Sequence, residues 1–292
     1  MAHLSDIRGV GLGLKRELIP PFKQHEGKSL LANLQFVEIA PENWIGMGGK
    51  YAADLRWFAE RYPIACHGLC LSLGGPDPLN VSFLRQVKQF LSDFEIPLYT
   101  EHLSYCSDTA NGYIYDLLPI PFTEEAVQYV AQRIRQTQDI LGQRIAVENA
   151  SFYVAAPISE MDESSFINAV LAEADCNLHL DINNVYVNSV NFGFDAYSFI
   201  DQMPAGRIVY SHIAGHLQVK ADLLVDTHGA SVIDPVWQLL AYAYRRFGVF
   251  PTLLERDTNI PPLTEVMQEV DHIHLIQQEV TQAHSSSVSR VA

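Results

Sequence analysis

The chain has 292 residues, 48% of them hydrophobic, with 34 Asp+Glu against 19 Lys+Arg and a net charge of −15. That length suits one large α/β barrel or two smaller domains, and the apolar content excludes a disordered chain; the acidity disfavours nucleic acid and anionic membranes as partners. No apolar run of about 18 residues is present, the first residues do not read as a secretory signal, and the four cysteines (Cys66, Cys70, Cys106, Cys176) are too sparse for a disulfide scaffold, so a cytoplasmic protein with reduced thiols is expected.

Eight β-branched or aliphatic runs read as strands. In chain order they are 9–14 (GVGLGL), 36–42 (FVEIAPE), 64–70 (IACHGLC), 97–105 (PLYTEHLSY), 144–150 (RIAVENA), 177–184 (NLHLDINN), 207–215 (RIVYSHIAG) and 251–257 (PTLLERD). Helical patterns lie between most of them, clearest at 52–62, 79–94, 123–141, 164–174 and 235–247. Thr123 before Glu124 and Glu125 suits an N-cap with acids at the positive end of the helix dipole, and Gly142 suits a helix end. The stretch 105–121 reads as a long loop or a hairpin over the barrel mouth. The Ser-rich end, 281–292, reads as a flexible tail after a single domain over 1–280.

Eight strands alternating with helices over ~250 residues predict a (β/α)8 TIM barrel. The competitor is an open doubly wound sheet, but GVGLGL lacks the GxGxxG spacing of a dinucleotide loop.

The polar residues of these strands gather at their C-terminal ends: His67, then Glu101 and His102, Glu148 and Asn149, Asp181 with Asn183 and Asn184, His212, and Glu255 with Arg256 and Asp257. In a barrel those ends share one face, where active sites are built. Crowded carboxylates repel and cost several kcal/mol each to desolvate unless a cation compensates. Asp226 and His228 follow the seventh strand; in an extended segment they share a face. Imidazole and carboxylate without thiolate suit zinc, iron or manganese, and Glu148 or Glu255 is placed to bridge two ions.

Taken singly, each signal has a plainer reading. His67 or His102 is a satisfied, partly buried histidine, Glu148 with Asn149 a helix cap, Asp226-x-His228 an ordinary loop, and Glu255 an ion-pair partner of Arg256 or Arg245. The clustering of six of eleven histidines in or just after predicted strands favours the metal reading. His179, two residues before Asp181, shares its inward face one layer deeper and reads as core or support. His216, four after His212, is expected to orient a ligand or touch substrate. Cys66 and Cys70 flank His67 at odd offsets and read as buried small hydrophobes. No catalytic side chain beyond a metal centre is singled out.

The segments CHGLCLSLGG, TEHLSY, VENAS, LDINNVYVN, SHIAGH, VDTHG and LLERD, in that order, resemble the multinuclear non-heme iron-dependent oxidase family, the group containing the B subunit of methanobactin synthase. The resemblance runs from about Gly9 to Leu275; a more distant one is to xylose-isomerase-like barrels, including endonuclease IV. It implies a barrel with two or three irons in its mouth: one held by His67, His102 and Glu148, a second by Glu148, Asp181, His212 and Glu255, a third by Asn184, Asp226 and His228. Asn184 stands where endonuclease-IV-like relatives carry histidine, which implies a weaker third site and argues against DNA repair. The resemblance further implies dioxygen-dependent modification of cysteines in a ribosomally made precursor peptide, with a small partner protein recruiting the leader. The expected working state is an Fe(II)/Fe(III) pair, the ferric ion taking the substrate thiolate. Two alternatives use the same residues: a zinc- or manganese-dependent hydrolase or sugar isomerase, and a non-enzymatic metal-binding interaction protein.

Overall fold

The computed structural model describes residues 3–110 and 112–288. The strands are β1 (Val10–Gly13), β2 (Phe36–Ile39), β3 (Ile64–Gly68), β4 (Leu98–His102), β5 (Tyr105–Asp108), β6 (Gly112–Leu118), β7 (Ala146–Glu148), β8 (Asn177–Asp181), β9 (Ile208–Ala214), β10 (Leu217–Lys220), β11 (Leu223–Val225) and β12 (Thr252–Glu255). The helices are α1 (Ile19–Gln24), α2 (Gly49–Ala59), α3 (Val81–Asp93), α4 (Glu124–Leu141), α5 (Glu163–Ala174), α6 (Ile182–Phe192), α7 (Ala196–Asp201), α8 (Asp234–Phe247) and α9 (Leu263–Val288). Eight strands pair in parallel and close in the order β1-β2-β3-β4-β7-β8-β9-β12. Closure rejects the open sheet and establishes the TIM barrel. Each of the eight expected runs holds one barrel strand.

Two layers of packing follow from the alternation of side chains along a strand. Phe36, Ala65, Leu98, Tyr210 and Leu253 form a small apolar cluster with Ile7, and all five strand residues sit in the inward register. A much larger cluster, including Val37, Cys66, Val147, Leu180 and Leu254, joins the outward faces to the helices. The apolar plug fills the lower barrel and leaves its upper layers to polar residues.

The caps behave as their chemistry dictates. The Thr123 hydroxyl accepts the Ala126 N–H at 3.1 Å, and Gly142 ends α4 with φ +79°. Strand β8, the sixth of the barrel, stops at Asp181, earlier than the expected 184, because the Asp181 carboxylate accepts the Asn184 N–H at 2.6 Å and starts α6. Asn183 and Asn184 therefore stand on a helix, not on a strand. The segment 105–121 contains the antiparallel hairpin β5–β6, and a second hairpin, β10–β11, follows β9. Both rise from C-terminal strand ends. Cys66 is buried as expected, but Cys70 is exposed; β3 ends at Gly68, so Cys70 lies beyond the sheet alternation. Residues 281–288 of the expected tail continue α9, and 289–292 lie outside the described residues. No helix among the described residues is long and apolar enough to cross a membrane.

Candidate metal centre

The barrel mouth is built by register. His102 on β4 lies opposite Glu148 on β7, and Asp181 on β8 lies opposite His212 on β9. Their side chains enter the mouth because each belongs to the inward set of its strand. His67 Nε2, His102 Nε2 and Glu148 Oε2 form a triangle with sides of 3.1, 3.2 and 3.4 Å. Donor atoms sharing one ion at about 2.1 Å stand roughly 3–3.5 Å apart, so this triangle matches a coordination face.

Glu148 aims its other oxygen at a second group. Its Oε1 lies 3.6 Å from His212 Nδ1, which is 3.9 Å from Asp181 Oδ2 and 3.0 Å from Glu255 Oε2. His228 joins through Glu255, with Nδ1 3.4 Å from Glu255 Oε2, and its Nε2 is 2.7 Å from Asp226 Oδ1. His228 adopts φ +47°, so Asp226 and His228 meet through a turn rather than the expected extended segment.

The buried polar atoms without a hydrogen-bond partner test whether cations fit. Among the described residues they include Glu148 Oε2, Asp181 Oδ2, Asn184 Oδ1, His102 Nδ1, His212 Nδ1, His228 Nε2 and both ring nitrogens of His179. Buried polar atoms are normally paired. Most of the unpaired atoms belong to residues gathered at the mouth, and carboxylate, amide and imidazole atoms there can offer lone pairs, so the residues fit a group of metal ions.

Proton equilibria agree. Burial favours the neutral form of Glu148, but the imidazoles of His179, His67 and His102 outweigh it and hold the carboxyl well below its usual range. Burial, Glu148 and Asp226 push Asp181 well up. Burial opposes a charge on His67, yet Glu148 raises it to about 9. Against the same opposition, Glu38 and Glu255 raise His212, and Asp226 and Glu255 raise His228. Burial and the neighbouring His212 drive His179 well down. Protons on His67, His212 and His228 balance the carboxylates, a role cations take when they displace them.

The expected residues are brought together unequally. His67, His102, Glu148, Asp181, His212 and Glu255 converge directly. Asp226 accepts hydrogen bonds from Ser151 at 3.1 Å and Asn183 at 2.8 Å, while Asn184 donates to the Asn149 carbonyl at 3.0 Å. That third group is thus less gathered. His216 Nδ1 pairs with Asn183 Oδ1 at 2.8 Å and so supports Asp226 through Asn183. His179 lies below, its Nε2 4.0 Å from Glu148 Oε1.

Sequence reasoning missed Glu38, Lys15 and the role of Asp257. Glu38 meets His212 Nε2 at 3.0 Å, Asp257 meets His228 Nδ1 at 3.1 Å, and Lys15 pairs with Asp257. The available signal for Glu38 was a lone carboxylate inside the apolar strand FVEI, in the inward register with Phe36.

A family model described as "RiPP precursor modification enzyme MbnB/TglH/ChrH" matches residues 9–278. The chain belongs to that family. Relatives of this MbnB/TglH/ChrH member include the UPF0276 protein Nmul_A2550 of Nitrosospira multiformis, 60% identical over 289 residues, covering 99% of this chain and 100% of that protein. The UPF0276 protein PA3283 of Pseudomonas aeruginosa is 50% identical over 282 residues, with 97% of each chain covered. Among solved structures, an L-ribulose 3-epimerase superposes with TM-score 0.64 at 13% identity, covering 96% of this chain and 98% of that one. A xylose isomerase-like TIM barrel protein from Mycobacterium smegmatis, in complex with magnesium, gives 0.60 at 10% identity, covering 96% and 99%. At these identities the likeness establishes the fold alone, a xylose-isomerase-like TIM barrel. The family description makes the chain one of a group of enzymes that modify ribosomally made precursor peptides.

Proposed function

We propose that this chain is a multinuclear iron-dependent oxidase that uses dioxygen to modify cysteine residues of a ribosomally made precursor peptide. The observation that carries the reading is Glu148: one oxygen faces His67 and His102, the other faces His212 and its carboxylates. A carboxylate so placed is suited to bridge two ions. His67, His102 and Glu148 would hold the first; Glu148, Asp181, His212 and Glu255 would hold the second. Asn184, Asp226 and His228 would form a weaker third position, since Asn184 offers a neutral oxygen.

When bound, iron supplies Lewis acidity toward a cysteine thiolate and one-electron chemistry with dioxygen. The protein's own contribution is placement. The Thr100 hydroxyl is hydrogen-bonded to His67 Nδ1 at 2.7 Å, which leaves Nε2 facing the mouth. The apolar plug below closes the barrel to water from beneath. The exposed strand β10 pairs with the more buried β11, which ends next to Asp226, on the rim a peptide would cross. A small partner protein recruiting the leader, and work in a cytoplasm that keeps the four free cysteines reduced, complete the reading.

The test is anaerobic purification, loading with Fe(II) and addition of a cysteine-containing peptide encoded beside the gene. An oxygen-dependent mass change on cysteine is expected; no change in any such peptide would overturn the assignment. The same thiolate-free donor set also suits a zinc or manganese hydrolase or isomerase. Metal analysis separates them: iron with visible absorption supports the oxidase, colourless zinc the hydrolase.

A further inference from the structure

We propose that Glu38 is the positioning residue that presents His212 to the metal centre through Nδ1, and that it tunes one ion position and not the other. This rests on the reading of the mouth as a metal centre. Glu38 stands on β2, a strand that delivers none of the expected ligands. It lies opposite Ala65, two residues below His67 along β3, so it occupies the layer beneath the cup. It is 5% exposed, and His212 is fully buried, so water has no access to replace their contact.

The hydrogen bonds assign the roles. Glu38 Oε2 accepts from His212 Nε2 at 3.0 Å and from the Tyr210 hydroxyl at 2.9 Å. Neither Glu38 oxygen is among the buried atoms lacking a partner, whereas His212 Nδ1 is. Glu38 Oε2 is thus engaged by two donors, and at His212 the nitrogen left without a partner is Nδ1. A hydrogen bond to one imidazole nitrogen fixes which nitrogen remains free, and a carboxylate acceptor makes that free nitrogen a stronger donor to metal. His67 has only the neutral Thr100 hydroxyl in the equivalent place. The two positions sharing Glu148 thus differ in their support: carboxylate-backed His212 on one side, hydroxyl-backed His67 on the other.

The experiment is a stepwise zinc titration of the full chain against a chromophoric chelator, for wild type, Glu38→Ala, Glu38→Gln and Tyr210→Phe. Long-range 1H–15N spectra of the zinc-loaded histidines accompany it. Glu38→Ala is expected to weaken one zinc equivalent on the order of 10–100-fold and leave the other unchanged. Glu38→Gln, whose amide oxygen still accepts from Nε2–H, recovers part of the loss. The wild-type spectrum is expected to show a protonated Nε2 and a metal-bound Nδ1 at His212. Equal weakening of both equivalents, or none, overturns the proposal; so does complete loss of one equivalent in both Glu38 variants, which would make Glu38 a ligand. If Glu38→Ala does not fold, Glu38→Gln and the wild-type tautomer decide alone. A wild type that takes up no zinc or iron removes the metal-centre reading and this proposal together, whereas a wild type that loads beside an equally loaded Glu38→Ala removes only this one.

Discussion

Glu148 concentrates the chemistry of the mouth in one side chain. Burial alone favours its neutral form, yet the neighbouring imidazoles hold its carboxyl well below the usual range, and its oxygens serve separate donor sets. Glu148→Gln keeps the size and removes the charge needed between two cations. At least one ion per chain is expected to be lost, by metal analysis, with unchanged circular dichroism; full metal content in this variant takes Glu148 out of the bridging role. Glu163, in the first turn of α5, makes a different electrostatic case. Its carboxyl lines a small apolar cavity with Leu103, Ile120, Phe122, Phe152 and Phe166, accepts from Asn188 at 3.2 Å, and is raised by burial to about 8. The folded protein keeps this proton to about pH 8, whereas the unfolded chain loses it near its ordinary 4.5. Stability contributed by the protonated group is full below about 4.5 and is lost as pH rises toward 8. Glu163→Gln, neutral throughout, should melt higher than wild type above about pH 8 and close to it in acid. Equal melting temperatures at alkaline pH would show that Glu163 ionises freely in the folded protein.

At the scale of elements, the strands were legible because each is a β-branched or aliphatic run, six of the eight with polar residues at or near the C-terminal end. The exceptions have local causes. LDINNVYVN continues a β-branched pattern past Asp181, and only the capping hydrogen bond to Asn184 turns the chain into α6. Hairpin β10–β11 hides in HLQVKADLLV, where no Gly-rich turn marks it. Gly215, just before it, is required because a Cβ there would collide with the Ala230 carbonyl. Helix α9 is fastened to the mouth by Arg256, which donates to Glu269 at 2.5 Å, while Glu269 also accepts the Val232 N–H at 2.8 Å. Arg256 is 4% exposed. Glu269→Ala leaves that guanidinium buried without its partner and should cost about 3–5 kcal/mol, read as a lowered denaturation midpoint; Glu269→Gln, which still accepts, should cost less. A midpoint unchanged in Glu269→Ala would mean that Arg256 finds another acceptor.

Over the whole molecule, a net charge of −15 surrounds a cup that itself collects carboxylates. Ions that bind only the folded chain stabilise it by mass action, by about 2.7 kcal/mol at a hundredfold excess over Kd. Adding Fe(II) anaerobically, or Zn(II), should raise the melting temperature with concentration, and a chelator should return it. A melting temperature indifferent to both would deny a metal cluster specific to the fold.

The sequence by itself determined the barrel class, the eight strand positions, and six residues that converge at the mouth: His67, His102, Glu148, Asp181, His212 and Glu255. These were readable because period-two alternation and strand-end polarity are local properties. Only the tertiary structure decided how they meet: that Glu148 divides its oxygens between two sets, that Asp226 and His228 approach through a turn, and that Glu38 backs His212 from 174 residues away. Those relations depend on barrel closure and strand register, which juxtapose side chains across distances that no local pattern records.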